Sequence, residues 1–196
     1  MPADLHALRR TLRQRRRAVP ADQARACAGQ LARHAGKHPL LRNSHHIGAY
    51  LAADGELDPA PLLERLWAQG KVIYLPVLVP FARGKLWFAR YEPGDPLSAN
   101  RFGIYEPVRR ALVRPVTLDL VLTPLVAYDL AGHRIGMGGG FYDRSFAFLH
   151  ARRHWRKPVM LGVAYRFQQQ HSILPSSWDL PLDAIATEYG VYLAHG

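Results

Sequence analysis

Gly136, Gly138, Gly139 and Gly140 fall within five positions, just after Arg134 and just before Phe141-Tyr142-Asp143-Arg144. A loop of this composition lets backbone N–H groups approach an anion, and the start of a following helix adds partial positive charge. Arg134 brings a planar fork of donors that suits phosphate oxygens. Asp143, in what reads as the first helical turn, is a hard oxygen ligand placed to meet Mg²⁺ carried by those phosphates. Neither standard nucleotide signature is present. The loop ends in Gly140-Phe141-Tyr142 where a P-loop ends in Gly-Lys-Ser/Thr, and the spaced glycines of a dinucleotide fingerprint do not follow the first strand. Taken alone, the residues leave two readings, a phosphate cradle and a flexible connector.

A second candidate is basic. The chain of 196 residues carries +11 formal charge, of which residues 1–46 hold +8 and residues 47–196 hold +3. The surplus centres on Leu8 to Arg17. Read as a helix, Leu5, Leu8 and Leu12 form an apolar stripe that docks on the body, while Arg9, Arg13 and Arg16 line one flank. Such a helix can hold arginines over a phosphate. Its other readings are a solvated basic face and a nucleic-acid arm, and against the arm no aromatic residue is interleaved to stack on a base.

Composition narrows the classes. With 48% hydrophobic residues the chain can bury a core, and its one cysteine, Cys27, excludes a disulfide framework and a cysteine-based metal cluster. No apolar run approaches the roughly 20 residues that cross a bilayer. Residues 1–20 read as a basic helix and not as an apolar signal core, so a cytoplasmic protein is expected. His45 and His46 are adjacent but lack helical metal-ligand spacing, and Trp67, Trp87 and Trp155 read as packing residues.

The elements that must position these residues follow from periodicity. A second helix is expected from Pro20 to about Gly36, with Ala24, Ala28 and Leu31 facing inward. Ile47–Leu51 reads as a buried strand, Pro59–Gln69 as a helix stopped by Gly70, and Val72–Leu75 as a second strand, a parallel βαβ unit. Leu86–Ala89 and the segment before Arg83-Gly84 suggest an antiparallel hairpin. Leu118–Thr123, Pro158–Val163 and Ala184–Tyr192 supply further strands, with a helix from about Phe141 to Arg153. The expected architecture is an α/β three-layer sandwich, Rossmann-like, with a mostly parallel sheet. It makes one domain over residues 1–196, with basic helices over residues 1–36, and ligands sit beyond the carboxyl ends of the strands.

Gly132-His133-Arg134-Ile135-Gly136-Met137-Gly138-Gly139-Gly140-Phe141-Tyr142-Asp143-Arg144 resembles the G-x-R-[LI]-G-x-G-x-G-[YF]-Y-D signature of 5-formyltetrahydrofolate cyclo-ligases, also called 5,10-methenyltetrahydrofolate synthetases. The basic N-terminal helix, Tyr50–Leu57, Phe102–Pro107, and Leu174-Pro175 with Trp178–Asp183 and Thr187-Glu188 fall in the family's order over nearly the whole chain.

The resemblance implies an ATP- and Mg²⁺-dependent ring closure of 5-formyltetrahydrofolate to 5,10-methenyltetrahydrofolate, with release of ADP and phosphate, by a monomer acting on small molecules without nucleic-acid or membrane partners. It implies ATP contacts at Arg9, Arg13 and the loop Arg134, Ile135, Gly136, Met137, Gly138, Gly139, Gly140, Phe141 and Tyr142. It implies folate contacts at Leu51, Glu56 and Met137 to Phe141, with Phe141 and Tyr142 nearest the chemistry and Asp143 and Asp179 at the metal. Two departures from the family pattern stand out: Trp178 precedes Asp179 where the family commonly has His, and Leu5 stands where it expects lysine. Two rival readings are an RNA-binding module using the arginine helix and a sugar-phosphate isomerase on a similar sheet.

Overall fold

The computed structural model describes residues 4–79, 82, 84–100, 103–108, 111–152 and 157–195. Arg83 of the expected hairpin, Phe102 of the Phe102–Pro107 turn, the expected helix end at Arg153, and Trp155 lie outside the described residues. Helices α1 (Leu5–Arg17) and α2 (Ala21–Ala35) lead through α3 (Pro39–Arg42) into β1 (His46–Gly48), followed by α4 (Ala60–Ala68), β2 (Val72–Leu78) and β3 (Leu86–Tyr91). Strand β4 (Leu97–Ala99) pairs with β5 (Tyr105–Pro107) in a small separate ribbon, and β6 (Leu112–Val113) returns to the main sheet. Strand β7 (Leu120–Pro124) runs into a second ribbon of β8 (Ala127–Tyr128) and β9 (Arg134–Ile135), then into α5 (Phe141–Phe146). Strands β10 (Val159–Val163), β11 (Ala184–Thr187) and β12 (Gly190–Leu193) complete the order.

The main sheet has eight strands in the order β12-β11-β10-β7-β1-β2-β3-β6. Strands β11, β10, β7, β1 and β2 are mutually parallel, while β12, β3 and β6 are antiparallel to their neighbours. Alternation along the parallel strands splits the core in two, because successive side chains point to opposite faces. Ile73, Leu75, Leu120, Leu122, Leu161 and Val163 meet Leu31 and Ala35 of α2 and Leu62 and Leu66 of α4 on one face. Tyr74, Val121, Met160 and Ile185 meet Phe146 and Leu149 on the other. The expected three-layer, mostly parallel sandwich with an antiparallel excursion is the fold observed.

Boundaries differ from expectation for physical reasons. Pairing along β1 stops at Gly48, although Ala49 still donates to the Tyr74 carbonyl at 2.8 Å. Strand β2 continues through Pro76 because β1 pairs only with Val72 to Tyr74, so the missing N–H faces no parallel partner. The expected helix after the glycine loop is six residues of α-helix followed by a 3-10 segment, Ala147–Ala151. A single strand over Ala184–Tyr192 is replaced by a tight hairpin, β11 against β12. On α1, Leu12 is buried and Leu8 packs beside it, but Leu5 is exposed, so the docking stripe is shorter than expected. Among the described residues no helix is long and apolar enough to cross a membrane.

Leu31, fully buried between α2 and the sheet, tests this packing. Leu31→Ala should lower unfolding stability by ~2–5 kcal/mol, measured by urea denaturation.

Candidate functional site

The first half of the site is built on the turn that follows β1. Asp54 and Gly55 both adopt left-handed conformations, with φ of 54° and 73°, and reverse the chain so that Glu56 N–H donates to the Ala53 carbonyl at 3.0 Å. Gly55 is required twice over, since a Cβ there would lie 2.8 Å from the Arg16 carbonyl oxygen. That close approach lets α1 lie against the turn. Arg13 Nε and Arg16 Nη2 each donate to Asp54 Oδ2 at 2.7 Å, and Arg17 donates to Oδ1.

Arg16 is buried, at 2% exposure. Its Nε also donates to the Asp54 carbonyl at 2.9 Å and its Nη1 to the Leu125 carbonyl at 3.2 Å, with Glu56 Oε1 at 3.7 Å. One guanidinium thus ties α1 to the turn after β1 and to the chain leaving β7. Burial pushes the Asp54 carboxyl up, but the three guanidiniums together outweigh it and hold its pKa at about 2. Burial also raises Glu56, and there Arg16 and the Ala53 N–H only partly offset it. The Tyr142 hydroxyl is raised by burial and then by the charge of Glu56, which places these two groups within electrostatic reach.

The second half is the glycine loop, delivered by the β8–β9 ribbon, in which Tyr128 pairs with Arg134 and Ala127 with Ile135. Arg9 reaches from α1 to donate its Nε–H to the Gly136 carbonyl at 2.9 Å. Met137, Gly138 and Gly139 are exposed, and Gly138 and Gly140 have φ of 95° and 62°. Arg144 Nη2 donates to the Gly139 carbonyl at 2.6 Å and its guanidinium sits 5.3 Å from the Phe141 ring centre. Tyr142 stacks on Phe146 at 6.1 Å, which anchors the loop's far end in the core. With α5 only six residues long, the helix-dipole contribution expected after the loop is small, and the loop's own N–H groups must do most of any anion binding.

Arg134 does not stand free for phosphate. Its Nη2 donates to Asp143 Oδ1 at 2.6 Å and its Nη1 to the Leu180 carbonyl. Leu180 N–H also reaches Asp143 Oδ1, at 3.3 Å, so the glycine loop is joined to the segment carrying Asp179. Asp179 Oδ2 closes a turn by accepting from Ser176 N–H at 2.8 Å. Asp143 and Asp179 therefore belong to adjoining segments, and each has one carboxylate oxygen not used in these bonds. Among the described residues no group of three or more His, Cys, Asp or Glu could enclose a metal. Two carboxylates with the remaining ligands from water and phosphate is the mode suited to Mg²⁺, so the residues fit that ion.

The structure brings Glu56, Leu51, Arg9, Arg13 and the loop from Arg134 to Asp143 to the carboxyl ends of β1 and β7, which are adjacent and parallel. Leu51 is half-buried against the core. Arg13 spends its Nε on Asp54, leaving its Nη groups as the donors available to a ligand. Sequence reading assigned no role to Asp54 and treated Arg16 only as part of the basic flank. The Asp54-Gly55 turn dipeptide and the arginines at 13, 16 and 17 were the signals, since these positions share a helix face.

Residues 3–188 match the model of the 5-formyltetrahydrofolate cyclo-ligase family. The 5-formyltetrahydrofolate cyclo-ligase of Escherichia coli K12 is 42% identical over 186 residues, covering 92% of this chain and 98% of that protein. The Mus musculus protein of the same name is 24% identical over 188 residues, covering 92% of each. Among solved structures, the 5,10-methenyltetrahydrofolate synthetase of Aquifex aeolicus superposes with a TM-score of 0.81 at 28% identity, over 98% of this chain and 93% of that one.

The Asp54 cluster makes a pH prediction. A carboxyl whose folded pKa lies near 2 stabilises the fold above its unfolded pKa, and that stability is lost as pH falls from about 4 to about 2. Asp54→Asn should cost ~2–4 kcal/mol at neutral pH, because it also strips a partner from buried Arg16, and should flatten the acid limb. Urea midpoints measured at stepped pH check both.

Proposed function

The chain belongs to the 5-formyltetrahydrofolate cyclo-ligase family, and from that premise we propose that it converts 5-formyltetrahydrofolate to 5,10-methenyltetrahydrofolate in an ATP- and Mg²⁺-dependent reaction that releases ADP and phosphate. The observation that carries the reading is the convergence of two unlike half-sites under one helix. Arg9 holds the Gly136 carbonyl, while Arg16 holds the turn bearing Glu56.

The formyl oxygen is a poor leaving group until it is phosphorylated. In the proposed reaction it attacks the γ-phosphorus of ATP and ADP leaves. N10 then attacks the formyl carbon and loses its proton, the C–O bond breaks, and phosphate departs. Catalysis of this kind asks the protein mainly to position two substrates and to neutralise charge. Backbone N–H groups of Gly138 to Gly140 face the phosphates, with Arg9 and the Nη groups of Arg13 adding positive charge from α1. Asp143 and Asp179 would hold Mg²⁺, which would supply positive charge against the phosphates.

Glu56 accepts from the N–H edge of the pterin, and Leu51 forms an apolar wall. Phe141 packs beside the reacting ring, and Tyr142 holds the loop against Phe146 next to Glu56. Arg134 acts by positioning Asp143 and the Leu180 segment, because both of its Nη groups are engaged there. The residues named work on small molecules in the cytoplasm, with the basic helix serving the triphosphate and not a nucleic acid.

Mixing protein, 5-formyltetrahydrofolate, Mg²⁺ and ATP should produce methenyl-folate absorbance, and folded protein giving no ATP-dependent signal would overturn the reading. Glu56→Gln should raise the folate KM by ~10-fold or more with little change in the ATP KM, as expected for loss of a charge-assisted hydrogen bond. Asp143→Asn, which keeps an oxygen for Arg134 but not the charge, should abolish the Mg²⁺ dependence of turnover in a still folded protein, at a stability cost of ~1–3 kcal/mol.

A further inference from the structure

The surplus positive charge is not exhausted by α1. At the far end of the molecule a cleft of about 530 Å³ is lined by Gly36, Lys37, Arg42, Arg65, Gln69 and Lys71. It lies where α2, α3 and α4 all end, beside the entry into β2, whereas the candidate active site lies beyond the carboxyl ends of β1 and β7. Four of its six lining residues are cations and none is an acid.

None of the four pairs with a carboxylate among the described residues. Elsewhere in the chain, Arg13, Arg16 and Arg17 share Asp54, Arg134 holds Asp143, Arg90 holds Glu92 and Lys157 holds Asp119. In the cleft, Lys71 Nζ donates to the Arg42 carbonyl at 2.6 Å and Gln69 Nε2 to the Gly36 carbonyl at 3.4 Å. Arg65 Nε is buried with no acceptor. Arg65 also lies tight against Gly36, where a Cβ would come within 3.0 Å of its Cδ and 3.1 Å of its Nε.

Cations collect at helix C-termini for a simple reason, the partial negative charge of the last carbonyls. Here that reason falls short. Each helix end supplies about half a negative charge at most, and less for the four-residue α3. Three ends therefore offset no more than about 1.5 of four positive charges. About 2.5 charges remain around one concavity, together with a guanidinium N–H that lacks an acceptor. An anion of two or more charges answers that surplus, its oxygens meeting the lysines, Arg42 and the Arg65 guanidinium where it lines the cleft.

We propose that this cleft is a second anion site, separate from the ATP cradle, that binds a small phosphate-bearing polyanion. The chemistry is shared by free di- and triphosphate and by the phosphate tail of a nucleotide.

Amide shifts of the isotopically labelled full chain, followed by NMR, distinguish the two sources and the two sites. Pyrophosphate and tripolyphosphate, titrated separately with ATP as a third arm, should move the Gly36, Lys37, Gln69 and Lys71 signals in a saturable way. Stronger shifts with ATP than with tripolyphosphate would assign a nucleotide tail, and equal or weaker shifts the free polyanion. Arg65→Gln with Lys71→Gln should weaken this binding by at least about tenfold and leave the cyclo-ligase kcat unchanged. Lys37→Gln with Lys71→Gln, which leaves Arg65 and its packing against Gly36 in place, guards against misfolding and should weaken binding in the same direction. Absence of saturable shifts at these four amides, or full affinity in both variants, overturns the proposal.

Discussion

A guanidinium taken out of water demands partners on all sides, and Arg16 sets that demand at the centre of this molecule. Two separate pieces of chain supply them: the turn after β1, through the Asp54 carboxylate and carbonyl and, at longer range, Glu56, and the exit from β7, through the Leu125 carbonyl. Neither could move far without leaving a buried charge unpaired. The helix, the turn after β1 and the exit from β7 are therefore held as a unit, and what lies between them inherits that rigidity. Glu56 is the clearest beneficiary. Its carboxylate is buried enough to be raised, yet it sits in a turn fixed by the α1 arginines on Asp54 and by the Ala53 N–H that donates to Glu56 Oε2.

Much of the fold was legible because it rests on local patterns. The apolar runs at Val72 to Leu75 and Leu118 to Thr123, the helical spacing of Ala24, Ala28 and Leu31, and the strand–helix–strand order led to the right layers and the parallel centre. Where legibility failed, tertiary context decided. Nothing local ends β1 at Gly48; the chain leaves the sheet there to make the turn that accepts Arg16. Nothing local shortens α5; packing of Phe146 and Leu149 under the sheet turns the segment into a 3-10 conformation.

The candidate site was legible in its motif and not in its wiring. The glycine spacing marked the loop, and the family pattern marked Glu56, Asp143 and Asp179. That Arg134 serves Asp143 and the Leu180 carbonyl, and that three arginines converge on Asp54, depends on contacts between residues 9 to 46 positions apart. Residue type says that an arginine wants an anion. It does not say which one.

The seam between β1 and β7 has one more consequence, and it concerns the order of events in time. Ile47 lies beside Leu120, so the turn bearing Glu56 and the loop bearing the glycines become neighbours only after a long stretch of chain has closed. On a ribosome, the first half-site would emerge with no counterpart, and its arginines would wait for Leu125. The two half-sites then come together late and with the central sheet. A nascent or partly unfolded chain has neither completed, and any activity that needs both is confined to molecules whose longest-range strand pairing has formed.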